Sequence, residues 1–430
     1  MSLDSQVKSG VKWTTASTIV LAVTAILKIS ILTRFLDKSD FGLMALVTFV
    51  MGFMELFNDM GLTSAILHKQ GITKQQYASL YWINWLASVV MYLILVFISP
   101  FVAAFYNQPL LSILIPLIGL NLLFTGLGRQ FKTIEQKHML FDKTSIIDIS
   151  GALLSLGISI LLAIYGYGVY ALVYSVVFQS VFSNFCYFCI GVKKYGILLH
   201  FKLNETKEFL SIGVYQVGGQ VVNYFNRDLD ILIIGKFFSP DVLGGYSLAK
   251  QLVFRPAQLI NPILVKVAAP ALALKQNNVQ ELKAAYLKLV NIVASINIPV
   301  YLGITIFTPW IVTILYGEGF DDIFSLVRIL SIYMIFRALG NPIGSLVVAT
   351  GRTKLEFIWN IVTLIVLPLF IYFGSKFSIE GVTVSLALSM IMLFYPSWKV
   401  LVNSLSTASL REYLLACFRL NWEFIFSLKK

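Results

Sequence analysis

Apolar residues in this chain come in long runs, not in the short alternations of a soluble domain. Twelve runs are legible, at 13–36, 41–60, 78–104, 110–128, 144–165, 169–192, 209–235, 242–268, 289–315, 323–349, 355–375 and 381–404. Each is close to or above the roughly 20 helical residues that cross a hydrocarbon core of about 30 Å. Polar residues inside the runs fall at helical spacings of three and four, which predicts helices and not strands. The expectation is an all-α, polytopic membrane protein of about twelve transmembrane helices. The outer links are very short, as at 106–109 and 166–168, so all activity is expected within the bilayer or at its faces.

Composition agrees. With 58% hydrophobic and 13% charged residues and a mean hydropathy of +0.81, an ordinary soluble domain is excluded. The net charge of +12 could suggest nucleic acid, but its distribution argues otherwise. Of 33 Lys and Arg, 22 lie in one alternating set of links and tails, among them Lys8, Lys74, Arg129, Lys137, Lys194 and Arg411. Only four, Arg34, Lys38, Lys236 and Lys376, lie in the other set. The asymmetry places the first set and both termini in the cytoplasm. No nucleic-acid partner is expected, and the first run reads as a retained helix, not a cleaved signal. Seven cations remain inside the runs: Lys28, Arg227, Lys250, Arg255, Lys266, Arg328 and Arg337.

The chain also repeats. Arg34-Phe35-Leu36-Asp37-Lys38-Ser39-Asp40-Phe41-Gly42 follows the first run, and Lys236-Phe237-Phe238-Ser239-Pro240-Asp241-Val242-Leu243-Gly244 follows the seventh, 202 residues on. Tyr106 and Tyr316 form a later pair at a similar offset. An offset of six spans predicts two lobes of one orientation, 1–205 and 206–405, around a central cavity, with an amphipathic cytoplasmic tail over 406–430. Gly340 and Gly344, flanking Pro342, suggest a close helix approach beside a bend.

The polar stripes carry the candidate chemistry. The seventh run bears Gln216, Gln220, Asn223, Arg227 and Asp230 on one face, and the eighth Ser247, Gln251, Arg255 and Gln258, with Lys250 just off the line. Lys28 lies on the stripe of the first run, Arg337 on that of the tenth, and Glu55 and Asp59 end the second. A Lys or Arg at a helix centre costs about 2.5–3.5 kcal/mol on insertion scales, so these cations must face water, one another or an anionic guest. Two readings stay open. In one, Lys28, Arg227, Lys250, Arg255 and Arg337 line a wet cavity selecting phosphate, with Gln220 and Asn223 bonding hydroxyl-rich cargo. In the other they are closed structural pairs, Arg227 with Asp230 and Lys28 with Glu55 or Asp59. In the first reading Glu55, Asp59 and Asp230 are candidates for ion or proton coupling. Arg328 is expected in an ion pair and Lys266 to snorkel. There is no phosphate-binding glycine loop of the G-x-x-x-x-G-K type, Cys186 and Cys189 lack a second pair, and the three histidines are isolated. No catalytic residue, metal or cofactor is expected.

The segments Asn226-Arg227-Asp228-Leu229-Asp230 through Phe238, Leu243-Gly244-Gly245-Tyr246-Ser247-Leu248-Ala249, Arg34-Phe35-Leu36 with Asp40-Phe41-Gly42, and Leu315-Tyr316-Gly317-Glu318-Gly319-Phe320 resemble those of Wzx-type polysaccharide transporters. These belong to the multidrug/oligosaccharidyl-lipid/polysaccharide exporter superfamily, and the likeness extends to the colanic-acid, WzxC-like branch. The resemblance covers about 8–400. It implies a non-enzymatic flippase of undecaprenyl-pyrophosphate-linked oligosaccharide (O-antigen, capsule or exopolysaccharide units) in the bacterial inner membrane. It further implies pyrophosphate contacts at Lys28, Arg227 and Arg255. Membrane lipids are implied partners, with a polysaccharide polymerase and a chain-length regulator as further ones. The rivals are a cation-coupled drug antiporter of the same superfamily and a membrane scaffold that transports nothing.

Overall fold

The computed structural model describes the backbone of residues 3–59 and 61–419; side chains of 3–6, 208, 210–216 and 262–267, hence Gln216 and Lys266, lie outside the described residues. Every regular element among the described residues is helical. They are α1 (Leu3–Leu32), α2 (Lys38–Asn58), α3 (Leu62–His68), α4 (Lys74–Tyr106), α5 (Leu111–Lys137), α6 (Phe141–Ile164), α7 (Val169–Tyr195), α8 (Lys207–Phe237), α9 (Pro240–Ala273), α10 (Val279–Ile306), α11 (Thr308–Tyr316), α12 (Phe324–Thr350), α13 (Thr353–Gly374), α14 (Ile379–Ser397), α15 (Ser404–Ser406) and α16 (Leu410–Phe418). Each of the twelve apolar runs falls mainly on helix, that at 289–315 on two helices, α10 and α11. Among the described residues, ten helices are long and apolar enough to cross a membrane. The other two runs are α8 and α9, of 31 and 34 residues, which carry the charged stripes.

Two local departures have clear causes. The run at 41–60 stops at Asn58 because Gly61 turns left-handed (φ 68), and the short α3 follows. The run at 289–315 is broken at Phe307, after which Pro309, in the first turn of α11, has no N–H to continue the ladder. Beyond Pro396, α14 widens into a π-helical turn at Trp398–Asn403.

Packing groups the chain into two compact units. Unit 1 holds Met1–Tyr224 with Ser239–Gly244 and Leu315–Gly317. Within it α5 packs on α4 and α7, and α6 on α1 and α7. Asp40 of α2 accepts from Val169 N at 3.0 Å and so caps α7. Unit 2 holds Phe225–Phe238, Gly245–Ile314 and Glu318–Lys430. There α12 packs on α10 and α14, around Tyr286, Val290, Leu346 and Val402. The short α16 docks on α10: Tyr413 and Cys417 are buried, and Lys283 Nζ donates to Glu412 Oε1 at 2.9 Å. With that bond and those from Ser409, the Glu412 carboxyl is held down to about 2.

The repeat is built into unit 1. A Cβ on Gly42 would stand 1.9 Å from Pro240 O, and one on Gly244 would stand 1.8 Å from Lys38 O. Lys38 and Pro240 start α2 and α9, and each pair is 202 apart (240 − 38 and 244 − 42). Equivalent turns therefore cross face to face, backbone on backbone. The later pair repeats too, since Tyr106 is followed by Asn107 at φ 54 and Tyr316 by Gly317 at φ 90. Gly340 is different: among the described residues nothing lies within 4 Å of a Cβ there, so none of them approaches closely at that site.

Gly244→Ala and Gly42→Ala should each lower stability by about 3 kcal/mol or more, since a main-chain carbonyl cannot rotate aside as a side chain can. Gly219→Ala, with nothing within 4 Å among the described residues, should melt no lower than the parent. Thermal unfolding of the detergent-solubilised proteins compares them; equal melting of all three would refute the crossing.

Candidate functional site

The in-span cations divide by the company they keep. In unit 2, Lys250 is buried on α9, ten residues from its start. Its ammonium has three protons, and three acceptors take them: Arg227 O at 2.8 Å, Asp228 Oδ1 at 3.1 Å and Asp230 Oδ1 at 2.7 Å. Asp230 also accepts from the Tyr246 hydroxyl and, at 2.9 Å, from Ile231 N. Arg227 Nε donates to Asp228 Oδ2 at 2.7 Å, and the side chain stays half exposed. Tyr246, Lys250 and Phe254 follow one another at i, i+4, i+8 on α9, so they share a face.

Arg337 sits at the midpoint of α12, thirteen residues from Phe324 and thirteen from Thr350. Its guanidinium lies 5.4 Å from the Phe254 ring centroid and 5.8 Å from that of Tyr333, and it donates to the Tyr333 hydroxyl. Lys250 Nζ is 5.3 Å from the same Phe254 ring. The Phe254 ring is thus a neighbour of both cations, and Arg337 makes no salt bridge among the described residues, with Asp228 and Asp230 acting on it only through space. Arg255, half-buried on α9, makes no hydrogen bond or ion pair among the described residues.

In unit 1, Lys28 Nζ donates to Ser155 Oγ at 3.1 Å, and Ser155 Oγ donates in turn to Ser175 O at 2.7 Å. Ser155 lies nine residues inside the end of α6 at Ile164, about 13 Å of helical rise. Lys28 is therefore within the hydrocarbon depth and has a neutral hydroxyl where a counter-charge would be expected.

Several sequence expectations change. The Arg227–Asp230 pair does not form: Arg227 takes the adjacent Asp228, and Asp230 takes Lys250. Lys250 has no donor left for a guest, so the closed-pair reading describes it. Asp59 pairs with Arg129 at 3.5 Å and accepts from Thr63 Oγ1 at 2.5 Å, and neither it nor Glu55 meets Lys28. Arg129 lies on α5, not in the inner link expected of it. Glu55 is exposed with no hydrogen bond among the described residues, as are Gln220 and Asn223 on α8. Arg328 is exposed and unpaired among the described residues. Asp228, Tyr246, Phe254 and Tyr333 were not singled out by sequence; the i, i+4 spacing of Tyr246, Lys250 and Phe254 was the available signal. Five charges, Arg227, Lys250 and Arg337 against Asp228 and Asp230, thus leave one net positive charge at mid-span.

A family described as polysaccharide biosynthesis protein matches residues 31–325. The chain belongs to that family. Among its relatives is the lipopolysaccharide biosynthesis protein WzxC of Escherichia coli (strain K12), 28% identical over 426 residues, covering 97% of this chain and 85% of WzxC. The amylovoran biosynthesis protein AmsL of Erwinia amylovora is 30% identical over 338 residues, 77% of this chain and 86% of AmsL. The teichuronic acid biosynthesis protein TuaB of Bacillus subtilis (strain 168) is 29% identical over 359 residues, 84% and 74%. In fold, this family member resembles the lipid II flippase MurJ in an inward closed conformation, with a TM-score of 0.77 at 14% identity over 97% of this chain and 92% of MurJ. It also resembles an inward-facing MATE transporter of the MOP superfamily, with a TM-score of 0.68 at 18% identity over 90% and 96%.

Removing Lys250 strands the buried Asp230 carboxylate and leaves the partly buried Asp228 with Arg227 alone. Lys250→Ala should cost about 3–5 kcal/mol, whereas a triple replacement, Lys250→Met with Asp228→Asn and Asp230→Asn, should recover much of it. Thermal unfolding in detergent compares them; a triple variant no better than Lys250→Ala alone would contradict the pairing.

Proposed function

We propose that this chain is a flippase moving undecaprenyl-pyrophosphate-linked oligosaccharide units across the bacterial inner membrane, both termini cytoplasmic. Three observations support the reading. Relatives are named for the biosynthesis of lipopolysaccharide, amylovoran and teichuronic acid, and the fold is that of a lipid II flippase. The observation that supports it is in-span charge that is not closed by a salt bridge among the described residues: Lys28 on a serine, Arg337 on aromatic faces and Arg255 without a hydrogen bond or ion pair.

These groups suit a pyrophosphate. Each has N–H donors left over, and a guest with several anionic oxygens recovers the cost of holding such cations within the hydrocarbon. Gln220 and Asn223, exposed on α8, would bond sugar hydroxyls, and the polyprenyl chain would remain in lipid. Lys250, Asp228 and Asp230 brace α8 against α9, which fixes Arg227 at the edge of the charge cluster. Among the three proposed coupling carboxylates, Asp59 and Asp230 are tied to cations; Glu55 is the one left to exchange an ion or proton. The cycle would be alternating access, with 1–205 and 206–405 as the moving halves. The reading makes the chain a transporter and not an enzyme, and it accommodates a polymerase and a chain-length regulator as neighbours in the pathway.

The test is export in the native host. Deletion should leave lipid-linked repeat units on the inner leaflet, which separates transport from scaffolding. Lys28→Ala and Arg337→Ala should each cut export about 10- to 100-fold, the loss expected of one charge-assisted contact, while folded protein stays in the membrane. Normal export by both variants would sink the proposal.

A further inference from the structure

A cleft of about 200 Å³ opens in unit 1 where the start of α4 meets the ends of α5 and α7. Phe131, Ile134 and Tyr81 line its wall, and Lys74 and Lys194 stand at it. The link after α7, residues 196–198, closes one side, and that link is fastened. Trp82 Nε1 donates to Leu198 O at 3.0 Å. Ser79 Oγ donates to Glu205 Oε2 at 2.7 Å and accepts from Lys202 N at 3.1 Å, while His200 Nε2 lies 3.0 Å from Glu205 Oε1. The Ser79 hydroxyl first, and His200 second, hold the Glu205 carboxyl below the usual carboxylate range, so the fastening is complete at neutral pH.

The cleft is built but unsatisfied. Tyr81 is only 4% exposed, yet its hydroxyl bonds no group among the described residues. Gln130, 5% exposed, donates from Nε2 to Tyr77 O at 2.8 Å, and its Oε1 has no donor among the described residues. Lys74 is exposed and makes no ion pair among the described residues. Lys194 is neutralised by Glu135 at 2.8 Å. What remains is one free ammonium and one hydroxyl for an anion, one amide oxygen for a hydroxyl, and an apolar wall beside them.

We propose that this cleft seats the head group of an anionic glycerophospholipid of the inner leaflet, one that carries a phosphate and free hydroxyls. Lys74 and Tyr81 donate to the phosphate, Gln130 Oε1 accepts from a head-group hydroxyl, and Phe131 and Ile134 cover the glycerol and first acyl carbons. Basic pockets between helices on the cytoplasmic side suit such heads. The volume falls below the roughly 300–1,000 Å³ of sites that enclose a whole small molecule, and it holds a single phosphate head but no pyrophosphate with its oligosaccharide. The site rests on the inner-face orientation given by the cation asymmetry and not on the transport reading.

Native mass spectrometry of the full chain in mild detergent tests it, with phosphatidylglycerol, phosphatidylcholine and glycerol 1-phosphate at matched concentrations. Phosphatidylglycerol should be retained over phosphatidylcholine, and glycerol 1-phosphate should not displace it. Lys74→Gln with Tyr81→Phe should weaken retention roughly tenfold. Should the double variant fail to fold, Lys74→Gln alone, at an exposed site, must still weaken it about fivefold. Equal retention of phosphatidylcholine, equal competition by glycerol 1-phosphate, or unchanged binding by the variants would overturn the proposal.

Discussion

An ammonium carried into hydrocarbon depth is tolerable when each of its three protons meets an acceptor, and Lys250 satisfies that condition with protein groups alone. Much of unit 2 is arranged around it. Asp228 and Asp230 are two residues apart on α8, and both reach the same nitrogen because Lys250 also takes the Arg227 carbonyl between them and the rest of the helix. Tyr246 then serves Asp230 from one turn before Lys250, and Phe254 covers the ammonium from one turn after. The same Phe254 ring carries Arg337, so a saturated cation and an unsaturated one share an aromatic neighbour. That sharing sets the bracing cation, Lys250, beside Arg337, the one proposed to bind.

The constraint on unit 1 is steric. At the reciprocal crossing of residues 38–42 and 240–244, the space a Cβ would need is already occupied by a carbonyl oxygen. Only glycine admits that contact, and it is needed twice because the chain approaches itself through equivalent turns. A duplicated sequence has thereby become a local two-fold contact.

Helix type, and ten of the twelve expected spans among the described residues, were legible because lipid demands long apolar runs whatever their partners. The repeat was legible as well, since Gly42 and Gly244 are conspicuous among larger residues. Pairing was not. Helical periodicity assigns Arg227 and Asp230 to one face, and an i, i+3 bond is the simplest inference from it. Which carboxylate a cation takes depends on α9, and nothing in α8 reports where Lys250 will stand. Arg129 was misplaced for a related reason: α5 extends to Lys137, well past the apolar run, because Asp59 and Asp148 neutralise its cations at Arg129 and Lys132. The apolar window ends where charge begins, but the helix does not.

That distribution of counter-charge is itself an argument about function. Along unit 1, Arg129 has Asp59, Lys132 has Asp148 at 2.8 Å and Lys194 has Glu135 at 2.8 Å. Each is the kind of pair that lets a cation rest near or within a membrane at small net cost. Lys28 has Ser155, a hydroxyl whose own proton is committed to Ser175 O. Serine can orient an ammonium, but it cannot balance its charge. A fold that supplies carboxylates to three other cations of unit 1 has left Lys28 oriented by a hydroxyl, with no ion pair among the described residues. An ammonium without a carboxylate partner attracts an anion, which is the physical basis for the pyrophosphate contact proposed at Lys28.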